Sequence, residues 1–141
     1  MSKPSAVIVD IDGTIALKGV RHQFDWTRVH EDRPHREVIK VVTALSVANA
    51  VIFVSGRSDA CQESTRRWID YNVPFPHTYG YKLFMRRDSD FRRDSVVKEE
   101  IYRTYVEPSY SVLCVLDDRN QTVAMWRSIG LVCLQVAPGD F

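Results

Sequence analysis

The stretch Ala6-Val-Ile-Val-Asp10-Ile-Asp12-Gly-Thr14 decides how the rest of the chain reads: a β-branched apolar run, long enough for one strand, that ends on two acids and a turn glycine. Outward from it, Val38, Val41, Val42 and Leu45 recur at helical spacing, and Val51-Ile-Phe-Val54 forms a second short run. Strand, helix, strand is the order of a parallel βαβ unit. Asp32-Arg-Pro34 is an N-cap candidate with proline near the first turn of that helix, and Asn49 a plausible stop.

The same alternation continues. A helix is predicted from Asp59 to Tyr71, then an irregular stretch over 72–93 with a short strand near Leu83-Phe-Met85. A helix from Asp94 or Ser95 to Tyr105, closed by Pro108, leads to Ser111-Val-Leu-Cys-Val-Leu116, an almost unbroken apolar run suited to a strand covered on both faces. A helix over Gln121–Ile129 ends at Gly130, and Leu131–Val136 supplies the last strand. The pattern predicts an α/β fold: a doubly wound, mostly parallel sheet with helices on both faces and right-handed crossovers.

A length of 141 residues predicts a single domain over 1–141. The 45% apolar and 26% charged content excludes disordered, collagen-like and membrane classes. The N-terminal apolar run meets an acid after four residues, and the longest apolar stretch, Val38–Val54, is broken by Lys40, Thr43, Ser46 and Asn49. Neither a signal peptide nor a membrane span is indicated, and a cytoplasmic location is expected. Cys61, Cys114 and Cys133 cannot all pair within one chain, which favours a reducing compartment. The net charge of +1 implies weak non-specific affinity for long nucleic acid. Yet Arg66-Arg67, Arg86-Arg87 and Arg92-Arg93 crowd the middle third, reading either as solvated ion-paired faces or as a local anion-binding surface.

In doubly wound sheets ligands bind outside the C-terminal ends of the strands. Those ends carry Asp10, Asp12, Gly13 and Thr14; Ser55-Gly56-Arg57; and Asp117-Asp118-Arg119, with Lys98 in the helix before the last of them. Each has a bland reading: Ser-Gly-Arg as a turn, Asp-Asp-Arg as a helix N-cap, Lys98 as surface. Together, four carboxylates, a hydroxyl and a lysine at one sheet edge would repel and desolvate one another without a metal or an anion. An all-oxygen set is what Mg²⁺ takes, usually alongside substrate phosphate and water.

Asp10-x-Asp12-Gly-Thr14, Ser55, Lys98 and Asp117-Asp118 stand in the order of the four motifs of the haloacid dehalogenase (HAD) superfamily of phosphotransferases, and the chain resembles that superfamily along its whole length. More narrowly, Asp94-Ser-Val-Val-Lys98-Glu-Glu-Ile101 and the run from Asp117 through Gly130 to Gln135-Val-Ala-Pro-Gly-Asp-Phe141 are similar to the 3′-phosphatase domain of bacteriophage polynucleotide kinase-phosphatases.

The resemblance implies a HAD-like fold and a Mg²⁺-dependent phosphatase that removes 3′-phosphates from DNA or RNA ends. Asp10 would be the nucleophile that forms an aspartyl-phosphate. Asp12 would act as general acid, then base, a role that requires it to hold a proton near neutral pH. Ser55, with Thr14 and Gly56 beside the motifs, would meet the phosphoryl group, and Lys98 would neutralise its charge. Mg²⁺ would be held by Asp10, by Asp117 and Asp118, and by Asp12 through its backbone carbonyl. Arg21 and Arg57 would contact substrate phosphate, and Asp94 would orient Lys98 or an arginine, or simply cap the Lys98 helix. The same nucleophile can open a 2′,3′-cyclic phosphate.

Only 40 residues separate Thr14 from Ser55, and 42 separate Ser55 from Lys98, too few for a full lid domain besides the core. An open site admits a polymer end. Trp26, Tyr79, Tyr81 and Phe91 are candidate base-stacking residues, against a core role for each. His22, His30, His35 and His77 lack zinc-site spacing and read as surface or loop residues. No Gly-x-x-x-x-Gly-Lys-[Ser/Thr] loop is present, so the chain is expected to be a stand-alone phosphatase or a fragment of a bifunctional enzyme, with a kinase or ligase as partner. If phage-encoded, it would work in the host cytoplasm. Two rivals stand beside this reading: a HAD phosphatase of mononucleotides or other small phosphomonoesters, and a catalytically silent module that binds 3′ ends.

Overall fold

The computed structural model describes residues 2–75 and 80–141. From the N-terminus, β1 (Ser5–Val9) leads to a hairpin of two short strands, β2 (Ala16–Leu17) and β3 (Arg33–Pro34). Helix α1 (Arg36–Leu45) then connects to β4 (Ala50–Ser58), α2 (Gln62–Asn72) to β5 (Tyr81–Arg86), α3 (Asp94–Ile101) to β6 (Ser111–Asp117), and α4 (Asn120–Ser128) to β7 (Cys133–Gln135). The five longer strands form one parallel sheet in the order β5-β4-β1-β6-β7.

Alternation along β1 sends Val7 and Val9 to one face and Ala6 and Ile8 to the other. On the first face they pack with Val38, Ile39 and Val42 of α1 and Trp68 and Ile69 of α2. On the second they meet Val97 and Ile101 of α3 and Val123 and Trp126 of α4. Each of these valines and isoleucines, fully buried, contributes roughly 1.5–3 kcal/mol. The central strands are therefore apolar on both faces, the condition for a parallel sheet. The chain winds outward from β1 through β4 to β5, then returns to the other side as β6 and β7. This reversal opens a crevice between the C-terminal ends of β1 and β6, where Asp10 and Asp117 lie.

Four details depart from the sequence reading. Asp32 does not cap α1: the helix starts at Arg36 behind His35, and Arg33–Pro34 instead pairs with Ala16–Leu17. Ser55-Gly56-Arg57 is not a turn but part of β4, which runs to Ser58. The register with β5 jumps there from Ser55–Met85 to Ser58–Arg86, so Gly56 and Arg57 form a bulge. The Lys98 helix changes to a π-helical turn over Tyr102–Val106. The last strand is only three residues long, because β7 is an edge strand that pairs with β6 alone. No helix of the described residues is long and apolar enough to cross a membrane.

Candidate active site

Asp10 is the first residue past β1, and its backbone N–H donates to Leu116 O at 2.9 Å, which keys it to the neighbouring strand. Lys98 Nζ, carried by α3, donates to Asp10 Oδ1 at 2.7 Å and to Asp117 Oδ2 at 3.1 Å. The Thr14 hydroxyl lies 3.0 Å from Asp10 Oδ2 and 3.2 Å from Asp118 Oδ1. Its one proton serves one carboxylate at a time, and its backbone N–H is spent on Ile11 O at 3.1 Å. Asp10, Thr14, Lys98, Asp117 and Asp118 are all buried.

The carboxylates differ in how far the protein satisfies them. Asp117 Oδ2 accepts from Lys98 and from Trp126 Nε1 at 3.1 Å, while its Oδ1 accepts the backbone N–H of Asp118 at 2.8 Å and of Arg119 at 3.3 Å. For Asp118, Thr14 is the side-chain donor within reach. Burial, reinforced by the charge of Asp117, pushes the Asp10 carboxyl well above the usual carboxylate range, and burial raises Asp118 as well. Burial would lower the Lys98 ammonium, but Asp10, Asp117 and Asp94 outweigh it and hold it strongly protonated.

Oxygen atoms of Asp10, Asp117 and Asp118 lie within 4.8 Å of one another. Three buried carboxylates facing one ammonium leave uncompensated negative charge. An all-oxygen donor set with open lone pairs on Asp118 fits a hard divalent cation such as Mg²⁺. Backbone shape enforces the arrangement: Gly13 has φ +82°, and a Cβ there would lie 2.1 Å from Asp118 Oδ2.

Asp12 belongs to a second cluster. Arg57 Nε and Nη2 donate to Asp12 Oδ2 and Oδ1 at 3.0 and 2.8 Å, and Nη2 also reaches Asp32 Oδ2 at 2.8 Å. Arg21 donates to both Asp32 oxygens, at 2.7 and 2.9 Å, and to Asp12 Oδ1 at 3.3 Å. Asp32 is fully enclosed, whereas the Asp12 side chain is 38% exposed and is the member open to solvent. Hydrogen bonding to Asp32 raises the Arg21 pKa, and the charges of Asp12 and Asp32 raise Arg57 against its burial. Arg21 and Arg57, expected on substrate phosphate, are here paired with these two aspartates. The bulge explains the reach of Arg57: its backbone N–H donates to Ser55 Oγ at 3.0 Å, which turns its side chain inward.

Asp94, at the start of α3, holds two arginines and not Lys98. Arg119 Nη1 reaches its Oδ2 at 2.8 Å and Arg86 Nη2 reaches its Oδ1. That carboxylate lies over Gly56, where a Cβ would come within 2.5 Å of Asp94 Oδ1. Gly56 therefore admits Asp94 to the strand end.

Among the stacking candidates, Tyr81 is structural: its ring packs edge-on against Phe53 at 5.4 Å and its hydroxyl donates to Asp70 at 2.8 Å. Trp26 lies beside Arg21, 5.7 Å from the guanidinium carbon, and Phe91 is exposed. Tyr79 and His77 lie outside the described residues. His35 lies in the loop between β3 and α1, half-buried, with its Nδ1 3.0 Å from Thr14 O, where it props the Asp10–Thr14 loop.

Three contributors escape sequence reasoning. Asp32 looks like a helix cap, Trp126 like core, and Arg86 like one of several arginine pairs. An Asp followed by a proline that breaks the helix pattern is the only signal that could have drawn attention to Asp32.

The chain is similar to known proteins along its whole length. Residues 4–141 match the family described as the polynucleotide kinase PNKP phosphatase domain. A protein described as a bifunctional polynucleotide kinase/RNA ligase from Autographa californica nuclear polyhedrosis virus is 36% identical over 129 residues, 89% of this chain and 18% of that protein. A chain in the structure of the Pnkp1/Rnl/Hen1 RNA repair complex superposes with a TM-score of 0.88 at 35% identity, over 99% of this chain and 44% of the other. A second structure of the Pnkp1/Rnl/Hen1 complex gives a TM-score of 0.89 at 35% identity, over 99% and 48%. The chain thus spans less than half the length of these relatives. The chain belongs to the family of polynucleotide kinase PNKP phosphatase domains.

Proposed function

We propose that residues 1–141 form one phosphatase module that removes 3′-phosphates from DNA or RNA ends by way of an aspartyl-phosphate. The observation that carries this reading is the buried Asp10 carboxylate in the crevice between β1 and β6, bonded by Lys98 and Thr14 and flanked by Asp117 and Asp118. Asp10 attacks phosphorus, and the leaving 3′ oxygen takes a proton from Asp12. Asp12 then takes a proton from water, which attacks the acyl-phosphate, frees Asp10 and releases phosphate. Lys98 balances charge on the phosphoryl group throughout, and Ser55, with its oxygen accepting from Arg57 N–H, keeps its own proton for a phosphoryl oxygen. Arg21 and Arg57 orient Asp12 and extend positive charge toward the phosphate.

Asp10, Asp117, Asp118 and the Asp12 carbonyl would hold Mg²⁺. When bound, the ion supplies charge neutralisation at the transferring phosphoryl group. The names of the relatives support a setting in nucleic-acid end repair alongside a kinase or ligase, and the three free, buried cysteines suit a cytoplasmic one.

The test is phosphate release, with and without Mg²⁺, from one oligonucleotide phosphorylated at its 3′ end and the same oligonucleotide phosphorylated at its 5′ end. Metal-dependent release from the 3′ end alone, abolished in Asp10→Asn, is expected. Release from neither oligonucleotide, with turnover of small phosphate esters, would assign the same chemistry to a small substrate. Tight binding without turnover under any divalent metal would leave a silent end-binding module.

A further inference from the structure

Arg86 ends β5 with its guanidinium turned into the loop that follows. Its Nε donates to Gly56 O at 2.9 Å, its Nη1 to Asp90 O at 3.1 Å and to Arg92 O, and its Nη2 to Asp94. Residues 87–93 are wrapped around this one side chain. Ser58 Oγ donates to Asp88 at 2.6 Å, and Asp88 N–H donates to Asp59 at 3.1 Å, tying the outer side of the loop to the end of β4. The loop is thus held from both sides and stands at the end of β4 that carries Ser55 and Arg57, because Asp94 and Gly56 are its inner neighbours.

On this braced loop the Phe91 ring is 92% exposed. Of the arginines in the middle third, Arg67 pairs with Glu63, Arg66 lies over the Tyr81 ring, Arg86 is structural, and Arg92 pairs with Asp90 and Glu100. Arg87 and Arg93 are exposed and form no ion pair among the described residues. An exposed aromatic side chain on the same short loop as two unengaged guanidiniums, on backbone already ordered, is the combination that single-stranded nucleic acid uses: stacking for a base and cations for its phosphates. Pre-ordering lowers the entropy lost on binding.

We propose, resting on the 3′-phosphatase reading above, that loop 87–93 is the platform for the single strand leading up to the phosphorylated end. Phe91 stacks on a base, and Arg87 and Arg93 contact backbone phosphates.

The experiment measures kcat and KM for a nucleoside 3′-monophosphate and for single-stranded 3′-phosphorylated oligonucleotides of increasing length. The proteins are wild type, Phe91→Ala, Phe91→Trp, the double variant Arg87→Ala/Arg93→Ala, and Tyr71→Ala, whose ring is 90% exposed on α2. In wild type kcat/KM is expected to rise with length. Phe91→Ala cuts the oligonucleotide-to-mononucleotide ratio about tenfold, chiefly through KM, and Phe91→Trp preserves it. The double variant lowers the ratio and reduces the salt slope of log KM by about 1.4, the release expected for two single-strand phosphates. Tyr71→Ala keeps the wild-type ratio.

A wild-type ratio in both Phe91→Ala and the double variant overturns the platform while leaving the 3′-phosphatase reading intact. An equal loss in Tyr71→Ala also overturns it. If wild type releases phosphate from an aryl phosphate but from no 3′-phosphorylated nucleotide or oligonucleotide, the 3′-phosphatase reading itself fails and takes the platform with it.

Discussion

Arg57 closes on Asp12 as a two-pronged fork, Nε to Oδ2 at 3.0 Å and Nη2 to Oδ1 at 2.8 Å, across 45 residues of chain. The pair fixes which way the Asp12 carboxylate faces, and a lysine cannot reproduce two parallel bonds. Arg57→Lys is therefore expected to lower kcat for 3′-phosphate release by about 10²-fold, the cost of a misplaced catalytic group. Full activity in that variant would show that charge alone suffices.

Asp32 holds the base of the same fork. Its enclosed carboxylate accepts from both Arg21 and Arg57, so Asp32→Asn leaves two buried guanidiniums sharing one acid. Removing one partner from such a network is expected to cost about 3 kcal/mol in urea unfolding, together with activity. A variant that loses activity at wild-type stability would place Asp32 in contact with substrate instead.

The indole N–H of Trp126 is one of four donors that satisfy Asp117. Trp126→Phe keeps most of the buried volume and deletes that donor alone. The expected outcome is a fall in stability of about 1.5–3 kcal/mol, as for a hydrogen bond to a charged group. A 10- to 100-fold loss in activity or Mg²⁺ affinity should accompany it. Isothermal titration with Mg²⁺ beside kcat measurements separates the two.

Asp118 is held by fewer protein donors than Asp117, and burial raises its carboxyl pKa, so its charge opposes folding at neutral pH without metal. Asp118→Asn should raise the melting temperature of the metal-free protein while increasing the Mg²⁺ needed for half-maximal activity at least tenfold. Asp117→Asn should do the opposite to the fold, because Lys98 and Trp126 both donate to Asp117. Equal melting shifts in the two variants would contradict this division.

Although burial alone would raise it, Lys98, Arg119 and Arg86 hold the Asp94 carboxyl below its ordinary value of 3.8. A depressed carboxylate contributes stability above its unfolded pKa and loses it as the pH falls through the folded one. The stability gap between wild type and Asp94→Asn is therefore expected to be full at neutral pH and to shrink below pH 3.8. Chemical denaturation over that range checks it, and a gap that widens in acid would reverse the assignment.

The alternation of apolar runs placed β1, β4, β6, α1 and α4 within a few residues of where they stand, because burial on both faces leaves its period in the chain. Asp10, Asp117 and Asp118 were legible for a related reason: strand ends are local features, and acids there are conspicuous, whereas Lys98, alone in a helix, stood out only through the order of the motifs. The β2–β3 hairpin was not, since two-residue strands carry no periodicity, and Pro34 imitated a helix start.

What the sequence by itself determined is the order of strands and helices and the set of polar groups delivered to the C-terminal edge of the sheet. Only the tertiary structure decided how those groups pair. It bulges β4 at Gly56 so that Arg57 turns to Asp12 and Asp32, 45 and 25 residues distant. It sets Trp126 on Asp117, leaves Asp118 less satisfied, and gives Asp94 to two arginines. Those choices follow from burial, which makes an unpaired charge costly and so forces each carboxylate to find its donor wherever the fold brings one within reach.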